Sequence, residues 1–153
     1  MNKRIWISVF TAGILVSSYN FGLAQNKASI MVSATVVARI SQSVIHQAPK
    51  ISVAEDDIKR GFIEIPSATI LQIKTNSRNG YALLFEGGSE LFNEVRVLEK
   101  GRSTLLSSNG GLIHQTHSGG NVEIKNLSYK IVLSKSIRPG SYPFPFTVRA
   151  SLL

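Results

Sequence analysis

The chain's 153 residues carry 17 Lys and Arg against 9 Asp and Glu, a formal charge of +8, and contain no cysteine. The missing thiols exclude disulfides, thiolate metal sites and thiol nucleophiles, so packing alone must stabilise the fold. Beyond the amino terminus the cations are scattered, with Lys59-Arg60 the only adjacent pair; this argues against nucleic acid and leaves anionic envelope polymers as the acidic partners such a surface would attract.

At the amino terminus, Lys3 and Arg4 precede an apolar run from Ile5 to Val16, and Gly22-Leu23-Ala24 places small residues where a signal peptidase reads. Residues 1–24 are therefore expected to be a cleaved signal peptide. Ser17, Ser18 and Asn20 interrupt the run short of the ~20 apolar residues that span a bilayer. No cysteine follows to accept a lipid. The expected product is one exported domain, residues 25–153, located in the periplasm, at the cell surface or outside the cell.

Period-two alternation dominates the rest, and it is the mark of strands with one buried face. Ile30, Val32, Ala34, Val36, Ala38 and Ile40 alternate with Met31, Ser33, Thr35, Val37, Arg39 and Ser41, predicting one long first strand. Asn79-Gly80 suits a tight hairpin pairing Leu71–Thr75 with Tyr81–Phe85. Leu91 to Lys100 offers helical spacing through Leu91, Phe92, Val95 and Leu98, but Val95 and Val97 alternate and a strand is preferred. Asn109-Gly110-Gly111 predicts a second hairpin, between Ser103–Leu106 and Leu112–Gln115.

Farther along, Val122 and Ile124 begin an alternation that resumes out of phase at Leu127, Tyr129, Ile131 and Leu133, so burying all of them calls for a bulge near Asn126. Tyr142, Phe144, Phe146, Val148, Ala150 and Leu152 alternate to the end of the sequence. Pro143 and Pro145 lack amide protons on one lateral side, which puts the start of this strand at a sheet edge or beside a gap. The pattern as a whole predicts an all-β antiparallel sandwich or barrel.

Signals for chemistry are sparse. His114 and His117 are three apart and would point to opposite faces of a strand; His46 is distant from both and reads as the end of a strand. Glu55-Asp56-Asp57 lacks the alternation that lets loop oxygens converge on calcium, and reads as a solvated turn. There is no G-x-S-x-G elbow, P-loop or dinucleotide fingerprint. No enzyme activity, metal or cofactor is expected.

Ser33-Ala34-Thr35-Val36-Val37-Ala38 near the cleavage site, and Pro139-Gly140-Ser141-Tyr142 leading into Phe146-Thr147-Val148-Arg149-Ala150, resemble the opening and closing segments of pilin-like subunits of bacterial chaperone–usher systems. The resemblance implies an immunoglobulin-like sandwich lacking one strand, filled by the amino-terminal segment of the next subunit, and a structural or adhesive role in a fimbrium. It implies copies of the chain or other pilin-like subunits as partners, with a periplasmic chaperone and usher. Ile30, Val32, Ala34, Val36, Ala38 and Ile40 would then form the strand-complementation interface. Two features depart from the family: the missing disulfide, and an ending Ser151-Leu152-Leu153 without an aromatic. The same six residues equally suit the first strand of a complete domain, which would make the chain a self-contained secreted or periplasmic binding module. A hydrolase is the remote third reading.

Overall fold

The computed structural model describes residues 33–117 and 119–153. The chain divides into two units, Met1–Thr35 and Val36–Leu153. Of the first, residues 33–35 are described, exposed and outside helix and strand. The expected signal peptide lies outside the described residues.

The second unit contains β1 (Ile40–Gln47), β2 (Lys50–Val53), α1 (Glu55–Arg60), β3 (Phe62–Thr75), β4 (Tyr81–Gly87), β5 (Phe92–Glu99), β6 (Arg102–Leu106), β7 (Gly110–Gln115), β8 (Val122–Leu133), β9 (Gly140–Pro143) and β10 (Phe146–Leu152). The strands form a five-stranded sheet in the order β1-β3-β8-β5-β6, a three-stranded sheet β10-β4-β7 and a two-stranded ribbon β2-β9. Every ladder is antiparallel, so the all-β antiparallel expectation holds.

Alternation places Leu71 and Ile73 of β3, Tyr81, Leu83 and Phe85 of β4, Leu127, Tyr129 and Ile131 of β8, and Phe146 and Val148 of β10 in a single apolar cluster fed by all three sheets. Phe85 sits edge-on to Tyr129 and Phe146 at centroid separations of 6.5 and 6.4 Å, and Tyr129 edge-on to Phe144 at 5.1 Å. With no disulfide available, this burial carries the fold, at about 1.5–3 kcal/mol for each large side chain. The expected strand through Val95 and Val97 is β5, with both residues buried.

Both predicted hairpins are instead passages between sheets. β3 is flanked by β1 and β8, so both its edges are occupied, and the chain after Thr75 crosses to start β4 between β10 and β7. Gly80, with φ of 84°, makes this crossing where its backbone meets the Gln115 carbonyl, leaving no room for a Cβ. Likewise β6 and β7 belong to different sheets and touch through a single Ser107–Gly110 bridge. Local turn signals located each reversal; occupancy of strand edges decided the partners.

No bulge interrupts β8 near Asn126: Leu127 to Val122 pair in unbroken register with Thr69 to Lys74. The irregularity lies in β3, where Pro66, Ser67 and Ala68 intervene between the Ile65–Tyr129 and Thr69–Leu127 pairs, and Ser67 takes a φ of 50° while its N–H donates to Ser128 Oγ at 2.9 Å. The phase of Leu127, Tyr129, Ile131 and Leu133 therefore runs through the whole strand. Val122 and Ile124 face out, while Glu123 and Lys125 face in.

Three further differences concern strand limits. Residues 33–39 are exposed and carry no strand, because the ladder between β1 and β3 ends at the Ile40–Thr75 pair and β3 then turns away; alternation alone provides no partner. The final alternation splits into β9 and β10 around Phe144-Pro145. The start of the predicted strand is β9, which pairs on one side only, with β2, as Pro143 requires, and Pro145 falls in the break before β10. Glu55, Asp56 and Asp57 form the first turn of α1 rather than a loop.

Candidate functional site

The five-stranded sheet ends at β1 and the three-stranded sheet at β10, and these two edges face each other across a seam bridged by one side chain. Gln42 Nε2 donates to the Val148 carbonyl at 2.7 Å, and the Ala150 N–H donates to Gln42 Oε1 at 2.5 Å. Backbone groups two residues apart in a strand point to the same lateral side, so Phe146, Val148, Ala150 and Leu152 direct their N–H and C=O groups away from β4 and into the seam. The side chains of Phe146 and Val148 are buried, and those of Ala150 and Leu152 half-buried. Opposite them, Val44 has the parity of an inward residue on β1, pairing with fully buried Leu71, yet is 54% exposed. The seam is thus a strand edge without a ladder, held at Val148 and Ala150 by Gln42 and flanked by the exposed Val44.

The segment leading into β1 is held at its base. Asn76 Oδ1 accepts the Arg39 N–H at 2.6 Å, Asn76 Nδ2 donates to the Val37 carbonyl at 3.0 Å, and Thr75 Oγ1 donates to the Arg39 carbonyl at 3.0 Å. Ahead of this anchor, Val36 and Val37 are 80% and 65% exposed. Of the six residues expected to fill a neighbouring groove, Ile30 and Val32 lie outside the described residues. Ala34, Val36 and Ala38 are exposed, and Ile40 opens β1 half-buried. Gln42 was not singled out from sequence, although its parity with Ile40 and Val44 marks it as a polar group on an inward face.

A second polar cluster lies among β4, β5, β7 and β8. Lys125 Nζ stands 3.0 Å from Glu99, 3.1 Å from Glu123 and 2.8 Å from Gln115 Oε1. Gln115 Nε2 donates to Glu99 at 3.0 Å, and Tyr81 Oη donates to Glu123 at 2.9 Å. Burial, reinforced by Glu123, raises the Tyr81 pKa strongly, so the phenol remains a donor. These groups satisfy one another, as buried charges must. Sequence reading missed them because it assigned the inward phase to Val122 and Ile124.

The remaining candidates do not converge. His46 and His114 are exposed, His46 near the end of β1 as expected. Among the described residues, no group of three or more His, Asp or Glu side chains could hold a metal ion. Asp57 accepts the Ala54 N–H at 2.9 Å, closing the first turn of α1. That hydrogen bond, aided by Arg60 against the opposing effect of burial, lowers its pKa.

No family model, curated protein or solved structure matches this chain.

Proposed function

We propose that this is an exported structural or adhesive surface protein whose copies assemble by strand addition, the amino-terminal segment of one chain entering the β1/β10 seam of the next. The observation that carries the reading is the β10 edge, which among the described residues pairs with no strand on its outer side and whose Val148 carbonyl and Ala150 N–H meet the Gln42 side chain in place of a ladder. A strand added there gains ladder hydrogen bonds from the edge and specificity from alternate apolar side chains. Ile30, Val32, Ala34, Val36, Ala38 and Ile40 supply that alternation, and Val36 has no apolar cover in its own chain. In this arrangement the two larger sheets form an immunoglobulin-like sandwich completed by its neighbour. Outside the two groups that Gln42 holds, the edge would need cover before assembly, the service a periplasmic chaperone performs in the systems the sequence resembles. The Lys125 cluster has a structural role, and no catalytic activity belongs to this reading.

Sedimentation of the exported chain over a concentration series tests it. Multimers should form as concentration rises, and Val36→Asp should abolish them while shifting folding stability by no more than about 0.5 kcal/mol, the usual range for an exposed site. A wild-type chain that stays monomeric, or a Val36→Asp variant that unfolds, would favour a self-contained binding module.

A further inference from the structure

The β10 edge is occupied before any partner arrives. A primary amide presents one donor and one acceptor with the spacing of a peptide unit, so the Gln42 side chain, bonded to the Val148 carbonyl and the Ala150 N–H, fills two neighbouring ladder positions as strand backbone would. These bonds join residues 106 and 108 positions apart. Paired strands lie about 4.8 Å apart, too close for a glutamine to stretch between them. Gln42 instead reaches from the inward face of β1 to the edge of the other sheet, joining two strands that share no ladder. No ladder joins β1 to β10, so this part of the seam is held by a side chain that can rotate away without breaking strand pairing on either side.

We propose that Gln42 is a displaceable latch on strand addition: in the unassembled chain its carboxamide holds the Val148 carbonyl and the Ala150 N–H, and it yields both to the backbone of an incoming amino-terminal segment from a second copy. This rests on the strand-addition reading above. The latch satisfies polar groups that would otherwise recruit any unpaired strand. It also selects among arrivals: a segment must bury enough apolar surface against Val44 and the half-buried Ala150 and Leu152 to replace two hydrogen bonds already made. The two hydrogen bonds lost are largely replaced by those of the incoming backbone, and the remainder amounts to about a tenfold handicap on strand entry.

The test uses the exported chain at a concentration where it is monomeric and a fluorescent peptide copying residues 30–40. Gln42→Leu keeps the bulk and removes the amide. Gln42→Asn keeps the amide but is one methylene too short to reach both groups. Both variants should capture the peptide about tenfold faster than wild type. In wild-type chain saturated with peptide, the Gln42 side-chain amide resonances should move to solvent-exposed positions while the Ala150 amide stays protected from exchange. Peptide binding at equal or slower rates in the variants would overturn the latch and leave strand addition standing. Failure of every chain to bind the peptide would overturn strand addition and the latch together. Should either variant not fold, unshifted Gln42 resonances in saturated wild type would still refute the proposal, and their displacement would support it.

Discussion

Replacing Lys125 with methionine would remove a cation from between two carboxylates while keeping most of its aliphatic volume. The Lys125 side chain is 5% exposed, those of Glu99 and Glu123 are 15% and 7% exposed, and Nζ lies within 3.1 Å of both. Removing one member of a buried ion pair costs about 3–5 kcal/mol, because the survivor is left charged in a medium that solvates it poorly. Here two carboxylates lose their cation and Gln115 loses a donor, while Glu99 keeps the Gln115 amide and Glu123 the Tyr81 hydroxyl, so about 4 kcal/mol, the middle of that range, applies. Small domains have about 5–15 kcal/mol of stability, and at about 4 °C per kcal/mol for a domain of this size the midpoint should drop by about 15–20 °C. Urea and thermal unfolding followed by circular dichroism would measure it. Adding Glu99→Gln and Glu123→Gln to Lys125→Met should recover a large part, because neutral amides cost less to bury than carboxylates that have lost their cation. Ile124→Lys, at an outward position on the same strand, should stay within about 0.5 kcal/mol of wild type. A Lys125→Met protein as stable as wild type, or a severely destabilised Ile124→Lys, would show that the phase of β8 is the reverse of that described.

Phe146→Ala should cost about 3–5 kcal/mol by denaturant unfolding, since the ring is buried and packs edge-on against Phe85; its neighbour Thr147, exposed on the other face, should tolerate alanine within about 0.5 kcal/mol, and equal losses would reverse the assigned faces of β10. Burial pushes the Tyr129 phenol up to about 12, partly offset by its hydrogen bond with Thr69. Its folded-state pKa lies above the unfolded value near 10, so its contribution is fully present below about pH 10 and is lost as pH rises through the folded value. Tyr129→Phe should therefore flatten the decline in stability between pH 10 and 12, and an unchanged alkaline profile would contradict the burial of the hydroxyl.

Local chemistry sufficed for the all-β class, the places where the chain reverses, the edge position that Pro143 imposes on β9, and the inward face of β10. Each depends on one residue's conformational range or on the two-residue period of a strand, and both act over a few neighbours. Which strand meets which was decided elsewhere. Residues 76–80 and 107–109 turn the chain as their sequences demand, yet whether a turn closes a hairpin or carries the chain to another sheet depends on whether the preceding strand has a free edge, and β3 has none. The phase of β8 is similarly collective: four apolar residues from Leu127 to Leu133 outweigh two at Val122 and Ile124, which are left facing out. That choice turns Glu123 and Lys125 inward, where Glu99 from β5, Gln115 from β7 and Tyr81 from β4 meet them. Gln42 follows the same rule. Its amide finds Val148 and Ala150 more than a hundred residues away, and a contact of that range exists only once both sheets are in place.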